Sequence, residues 1–153
     1  MKLYELQIIV DSYGVEHLYQ IPVRNLPKDV ESIPIETGTV PKIRNARGAF
    51  VTLDPNLKAE ASIGAIEIAG VIGTADFGIF KIPTQGAFTE KTSIDYPVKT
   101  CEDAKEGVIV ILLKLSGKNE VSIEGDCIII EGDSYGNLIK SSERLVFRQF
   151  NII

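Results

Sequence analysis

Several residue types on which enzymes and metal sites depend are scarce in this chain of 153 residues. It contains one histidine, two cysteines, one methionine and no tryptophan. Serine and cysteine nucleophiles need a neighbouring base, usually histidine, and His17, Cys101 and Cys127 together would give a zinc ion only three ligands. We therefore predict a protein that is not an enzyme, with no catalytic residue, no metal site and no cofactor. The two cysteines are expected to be small buried side chains, reduced in an intracellular setting.

Basic residues are outnumbered by acidic ones. The chain has 16 Lys and Arg against 21 Asp and Glu, a net charge of −5 and a pI near 4.9. Proteins that coat nucleic acid neutralise many phosphates with Lys and Arg, so this balance argues against nucleic-acid binding except through a local basic patch. The phosphate-binding patterns GxGxxG and GxxxxGK[ST] are also missing.

Long apolar runs are missing as well. The most apolar region, 61–83, is interrupted by Glu67, Asp76 and Lys81, so that no stretch reaches the ~20 residues of a membrane-spanning helix. The N-terminal segment meets Glu5 too early for the apolar region of a signal peptide. We expect no membrane span and no classical secretion, and an intracellular (cytoplasmic) or virion location.

The apolar residues that are present follow the pattern of β-strands. Over 4–10 and again over 15–21 they recur at every second position, which is typical of half-buried strands. One helical turn is expected at 100–106, and no parallel sheet crossed by helices. The sequence thus predicts a single β domain over 1–153, an antiparallel β-sandwich or barrel that could take the jelly-roll form. Further strands are predicted at 48–53, 63–72, 77–82, 107–115, 119–123, 126–131 and 143–151.

The tetrapeptide DSYG occurs twice, at 11–14 and 133–136, each time after an apolar run. Aspartate accepts backbone hydrogen bonds in turns, and glycine provides the positive φ that tight turns require. We interpret both copies as hairpin loops. A serine nucleophile on the GxSxG pattern requires a strand-to-helix turn. The predicted fold has no such turn, so neither Ser12 nor Ser134 is predicted to be a nucleophile. His17 lies on the apolar stripe of the second strand and is interpreted as a sheet histidine.

Residues 22–47 interrupt the strand pattern. Four prolines, at positions 22, 27, 34 and 41, remove backbone donors and predict an extended arm or long loop. Its many Val, Leu and Ile residues require that it lie on its own domain or on a neighbouring subunit. Lys42, Arg44 and Arg47 at its end are the predicted partner- or anion-binding residues, because guanidinium groups suit phosphate and carboxylate. The alternative is a solvated loop paired with acidic side chains.

Acidic residues are concentrated toward the C-terminal end. They include two EGD turns, which could hold calcium because calcium prefers oxygen ligands. A strand of about four residues, roughly 13 Å long, separates the turns, so they cannot share one ion. Solvated hairpin turns are the simpler interpretation of these residues, which are Glu120, Glu124, Asp126, Glu131 and Asp133.

Together these patterns favour a structural or assembly protein. The expected form is a self-associating β-sandwich, such as a virus or phage coat or decoration component, that forms homo-oligomers or binds a structural partner through its arm. The alternative is a carbohydrate- or calcium-binding β-domain with hydrolytic activity. Convergence of carboxylates in a concave pocket would favour that alternative, whereas a flat apolar patch would favour assembly.

Overall fold

The structure, a computed structural model, describes residues 2–73 and 80–153, and within them the chain forms seven strands and four helices. The strands are β1 (Tyr4–Ser12), β2 (Val15–Val23), β3 (Gly48–Leu53), β4 (Thr84–Phe88), β5 (Val108–Leu115), β6 (Glu120–Glu124) and β7 (Cys127–Gly132). The helices are α1 (Pro27–Val30), α2 (Thr39–Arg44), α3 (Ala61–Ile72) and α4 (Tyr135–Gln149), and a 3₁₀ turn covers Cys101–Asp103.

Five strands form one mixed sheet in the order β4-β3-β5-β7-β6, and β1 pairs with β2 in a separate hairpin. β3 is parallel to β4 and β5, and β5 is parallel to β7, whereas β6 is antiparallel to β7. α3 carries the chain from β3 to β4, as a parallel pair requires. The fold is therefore mixed α/β, and the predicted all-β sandwich, barrel or jelly roll is wrong. The coat-protein analogy rested on that sandwich, and the virion interpretation loses its basis with it.

Helix α3 replaces the strand predicted at 63–72. Its β-branched residues favoured a strand, but the helix is held by close packing on α4, where a Cβ on Gly64 would lie 2.7 Å from the Cβ of Ser142. Only glycine permits this approach, so the tertiary contact outweighs the poor helix propensity. The strand predicted at 77–82 lies partly outside the described residues, and 80–82 forms no strand.

Helix α4 replaces the strand predicted at 143–151. Leu145 and Phe147 alternate with Arg144 and Arg148, which imitates the two-residue period of a strand. The segment instead forms a helix that is buried on most of its circumference, since every residue from 141 to 147 is buried. Its buried side chains contain a stripe at helical spacing. They include Leu138, Ile139, Ser142, Leu145, Val146 and Gln149.

Residues 22–47 do not form an extended arm, so that prediction is also wrong. β2 continues to Val23, and Pro27 begins α1, where its missing N–H would have no partner within the helix in any case. Val30 and Ile43 are fully buried, so the segment packs on its own domain.

The sheet has a large core on one face and a small one on the other. α3 and α4 pack on the face that carries Val51, Ile111 and Ile128. The opposite face carries Val110 and Ile129, against which residues of the 3₁₀ turn and its surroundings pack. No described helix is long and apolar enough to cross a membrane.

A disulfide between Cys101 and Cys127 fastens the 3₁₀ turn to the first residue of β7, with the two Cα atoms 5.3 Å apart. The prediction of reduced thiols is therefore wrong, although Cys127 is fully buried as expected. Thr100 and Asp103 form a capping box at this turn, in which the N–H of Thr100 donates to Oδ2 of Asp103 at 2.8 Å.

We expect reduction of this disulfide to lower the free energy of unfolding by about 3.5 kcal/mol, the loop-closure entropy for cysteines 26 residues apart. Urea unfolding with and without reductant measures the change. In the control Cys101→Ser/Cys127→Ala, the reductant should have no effect. An unchanged midpoint for the natural chain would show that the bond contributes nothing to stability.

Two glycines of α3 should respond to alanine in opposite directions. Gly64→Ala forces α3 and α4 apart and should cost about 1–3 kcal/mol. At Gly70 a Cβ would meet no atom within 4 Å, so Gly70→Ala should gain up to about 1 kcal/mol of helix propensity. Thermal unfolding of both variants compares them, and a destabilised Gly70→Ala would contradict this account of the helix packing.

Candidate association surface and buried carboxyl site

The tip of the β1–β2 hairpin is the first DSYG tetrapeptide. Tyr13 and Gly14 both have positive φ, 52° and 78°, as a two-residue type I′ turn requires. Oδ1 of Asp11 accepts a hydrogen bond from the N–H of Gly14 at 3.1 Å. The prediction of a hairpin loop is confirmed here.

The second DSYG is not a hairpin loop, so that interpretation is wrong. Ser134 lies between β7 and α4 and caps the helix, its Oγ accepting a hydrogen bond from the N–H of Asn137 at 3.1 Å. Residues 132–136, Gly-Asp-Ser-Tyr-Gly, match the GxSxG pattern, and Ser134 lies on the strand-to-helix turn that this pattern requires, which was not predicted. Its backbone is extended, with φ −153° and ψ 167°, and not strained as at a nucleophile elbow. His17 lies exposed on the hairpin beside Tyr19, and the contact observed for the Ser134 hydroxyl is the cap of α4.

The hairpin is buried only along part of its length. Tyr4, Leu6 and Ile8 pack with Ile21 and Val23 against the main core. Five of the ten large apolar side chains found exposed in the described chain belong to the hairpin region, so the exposed apolar surface is concentrated there. These five are Leu3, Ile9, Tyr13, Val15 and Leu18.

Each outer edge of the main sheet is bridged at one residue by another segment of the chain. At β6, the N–H of Val121 donates to the carbonyl of Pro34 at 2.9 Å. At β4, the N–H of Phe88 donates to the carbonyl of Pro97, also at 2.9 Å. β1 and β2 pair only with each other in the described structure. The hairpin thus carries open edges of a kind that other chains can extend.

The predicted basic site is divided in the structure. Lys42 and Arg47 line one cavity of about 430 Å³, but Lys42 already pairs with Asp126 at 3.1 Å. Arg44 lies elsewhere, stacked on Phe80 and donating to the carbonyl of Gln149. Anion binding by Lys42, Arg44 and Arg47 stays a prediction.

The acidic turns are tied into the structure by hydrogen bonds. Asn119 and Asn137 donate to the carboxylate of Asp133 at 3.0 and 2.6 Å. Donation from Asn137 above all, and then from Asn119, lowers the pKa of Asp133. In the described ranges, no group of three or more His, Cys, Asp or Glu side chains is placed to hold a metal ion.

A pair of buried carboxyl groups connects α3, α4 and the end of the hairpin. Oε2 of Glu143 accepts a hydrogen bond from the backbone N–H of Arg24 at 2.6 Å, and its Oε1 accepts one from Nδ2 of Asn25 at 2.7 Å. Nη1 of Arg24 donates to Oε1 of Glu67 at 3.1 Å. Arg24 thus contacts both carboxyl groups, Glu143 through its backbone N–H and Glu67 through its guanidinium group.

The surroundings of Glu67 favour its protonated, neutral form. Burial chiefly, together with the hydrogen bond and negative charge of Glu143, raises the pKa of Glu67 to about 10 although Arg24 acts to lower it. Oε2 of Glu67 is buried and contacts no other donor in the described part of the chain. The hydrogen bond to Glu143 that helps to raise the pKa of Glu67 requires the protonated form of the carboxyl group.

Glu67 also forms part of the wall of a cavity of about 500 Å³ between α3 and the base of β2. Arg24 lines the same cavity, and most of the remaining wall is apolar, including Ile21, Ile66 and Val71. Glu143, which acts on Glu67, is fully buried. Ionisable groups with strongly shifted pKa values in an apolar cavity are typical of binding sites.

Sequence reasoning missed this site although a signal was present. Glu67 interrupts an otherwise apolar segment, and it served only to exclude a membrane span. A carboxyl group on the buried side of an apolar helix requires a partner, so the interruption itself indicates a polar site. Its partner Glu143 lay in a segment predicted to be a strand.

No protein-family model matches this chain, and comparison with curated proteins and with solved structures finds no match either. Functional inference therefore rests on the structure alone.

We expect the carboxyl pair to make stability fall as pH rises. Glu67 binds its proton in the folded chain up to a pKa of about 10, whereas an unfolded glutamate releases it near pH 4. Between these values the folded state holds more protons, so the free energy of unfolding should drop by at most about 1.4 kcal/mol per pH unit.

Glu67→Gln removes the titration and keeps the amide as a donor to Glu143. Urea unfolding at pH 6, 7.5 and 9 should show a flatter pH dependence for this variant than for the natural chain. Glu60→Gln, an exposed carboxyl just before α3, is the control and should keep the natural slope. Parallel curves for all three proteins would contradict the buried proton.

Proposed function

We propose that this protein is a non-enzymatic association module that pairs with a second copy of itself through the edge of β1. One observation carries the proposal: the hairpin exposes apolar side chains beside strand edges that are unpaired in the described structure, whereas each edge of the main sheet is bridged at one residue by another segment of the chain. A two-stranded hairpin is marginal alone and gains from additional strands.

The turn determines which backbone groups point outward. In a two-residue hairpin the flanking residues, Ser12 and Val15, form a hydrogen-bonded pair, and such pairs alternate along the ladder. The residues whose N–H and C=O groups face outward are then Glu5, Gln7, Ile9 and Asp11 on β1, and Glu16, Leu18, Gln20 and Pro22 on β2. Because Pro22 has no N–H, β1 is the edge with all its donors.

A second copy is the occupant that this edge fits. When two β1 strands pair antiparallel about a two-fold axis at Gln7, Glu5 lies opposite Ile9 and Leu3 opposite Asp11 of the other copy. Residues whose N–H and C=O groups face outward on one strand therefore lie opposite residues of the same kind on the other, so that backbone hydrogen bonds can form. No two side chains of like charge lie opposite each other. The product is a four-stranded sheet with a self-complementary interface. Edge pairing buries little side-chain area, so the association should be weak and concentration-dependent.

Ile9→Glu tests this interface, because it places two glutamates opposite each other twice in the symmetric dimer. We expect the dimer dissociation constant to rise about 5- to 30-fold. Leu18→Glu is the matched control: Leu18 faces Ile9 across the hairpin and is 57% exposed against 65%. It makes the same charge change on the other edge and should leave association unchanged.

Sedimentation and light scattering over a concentration series measure the association. The double variant Glu5→Lys/Ile9→Glu should restore it, since lysine then faces glutamate. A natural chain that stays monomeric up to millimolar concentration would refute self-association. Equal weakening by Ile9→Glu and Leu18→Glu would refute the β1 edge as the interface.

A further inference from the structure

We propose that the disulfide between Cys101 and Cys127 is a redox switch: reduction by a dithiol detaches the turn formed by residues 100–104 from the sheet, while the main core stays folded. This inference goes beyond the proposed self-association and is independent of it, because it rests on the second face of the sheet and on no residue of the hairpin.

The segment that carries Cys101 has to cross the sheet. β4 and β5 pair with opposite sides of β3, so the chain between them passes over one face of β3. The contacts of Cys101 place it on the face opposite α3 and α4. Residues 90–104 make this crossing with one 3₁₀ turn and with neither a strand nor an α-helix. None of these residues is buried, so the crossing lies on the surface of the domain.

The disulfide is the main attachment of the turn to the sheet. Every hydrogen bond found for residues 100–104 in the described chain joins two residues of that stretch. The chain on either side is fixed to β3: the carbonyl of Lys99 accepts from the hydroxyl of Thr52 at 2.8 Å, and the carbonyl of Gly107 accepts from the N–H of Gly48 at 3.2 Å. The turn is thus anchored at both ends and is held between them by one covalent bond and by apolar contacts.

The apolar contacts of the turn belong to the small core alone. Cys101 and Ala104 pack on the buried residues Val110, Cys127 and Ile129, whereas the main core takes no side chain from residues 90–104. Segments with few buried apolar contacts open at low cost in free energy. Opening of the turn therefore uncovers the small core and leaves the packing of α3 and α4 on the sheet in place.

Reduction proceeds by thiol–disulfide exchange. Cys101 is partly exposed and Cys127 is fully buried, so Cys101 is the half of the bond that a reductant can approach. A thiolate of the dithiol attacks Sγ of Cys101, breaks the S–S bond and releases the thiolate of Cys127, which takes up a proton. The second thiol of the reductant then breaks the mixed disulfide, so that the reductant leaves as a cyclic disulfide and Cys101 becomes a thiol. Two electrons and two protons pass to the protein.

Hydrogen exchange followed by mass spectrometry tests the proposal on the natural chain, with and without millimolar dithiothreitol. We expect complete reduction without denaturant, and amide exchange at least about tenfold faster in peptides that cover residues 100–104. Peptides from α4 should keep their exchange rates. Replacing the dithiothreitol with oxidised glutathione should restore the original rates, because the anchored ends of the turn keep the two thiols near each other.

Alkylation of the reduced chain with iodoacetamide, after removal of the excess dithiothreitol, gives a second readout. Cys127 is fully buried while the turn is in place, so its alkylation at a rate within about tenfold of that of Cys101 requires the open turn.

Two variants assign the effect to the disulfide. Cys101→Ser should show fast exchange at the turn and a reactive Cys127 with or without reductant. Glu102→Gln, an exposed change in the same turn that keeps the disulfide, is the matched control and should respond to dithiothreitol like the natural chain. The measurements on the natural chain keep the test valid should Cys101→Ser fold poorly.

Three results would overturn the proposal. A disulfide that resists dithiothreitol until the chain is denatured would show that the reductant does not reach Cys101. Complete reduction with unchanged exchange and an unreactive Cys127 would show that the turn stays in place without the bond. Loss of protection in α4 as well as in the turn would show that the bond holds the whole fold. Ile9→Glu should respond to dithiothreitol like the natural chain, so failure of self-association and failure of the redox switch remain distinguishable.

Discussion

The buried carboxylate of Glu143 is the interaction on which the arrangement of the other parts depends. It accepts the backbone N–H of Arg24 and the side chain of Asn25, which directly follow β2. It also lies beside Glu67 of α3. A buried charge is costly unless it is paired and hydrogen-bonded, so the end of the hairpin, α3 and α4 are held in one relative position. The hairpin's direction out of the domain is thereby fixed at its base.

The proton on Glu67 is a consequence of helix packing. Gly64 allows α3 to approach α4 at Ser142. Glu67 follows one turn after Gly64, and Glu143 is the residue after Ser142, so the same close approach brings the two carboxyl groups together. Burial chiefly, and then the neighbouring Glu143, raise the pKa of Glu67, and Arg24, whose guanidinium group pairs with Glu67, acts in the opposite direction.

Local signals predicted the strands well and the helices poorly. β1, β2, β3 and the strands from β5 to β7 lie close to their predicted positions, because alternation and β-branched runs are visible over a few residues. α3 and α4 depend on contacts with each other, which no window of sequence contains. The two copies of DSYG show the same limit: alternation follows the first, whereas the second is followed by the helical spacing of α4, and Ser134 becomes its cap.

The candidate sites also show that local sequence signals do not contain contacts between distant segments. Lys42, Arg44 and Arg47 are close in sequence and were grouped for that reason, but the helical turn of α2 places Arg44 against Phe80, away from the other two. Glu67 and Glu143 are far apart in sequence and meet only in the folded chain. Proximity along a sequence indicates a site when the segment is extended, and it misleads when the segment is helical.

Charge on β1 selects among the ways in which two hairpins could pair. A two-fold axis at Ile8 would overlap the strands along their full length, but it would place Glu5 opposite Asp11 twice. Like charges directly opposite each other cost up to about 1 kcal/mol per pair. Two such pairs would cancel much of the free energy of association of a weak edge contact. An axis at Gln7 shortens the overlap and opposes no like charges. Glu5 and Asp11, near the two ends of β1, thus disfavour the pairing with the longest overlap, as charges on edge strands do in sheets that avoid aggregation. The shorter overlap about Gln7 is not disfavoured by these charges.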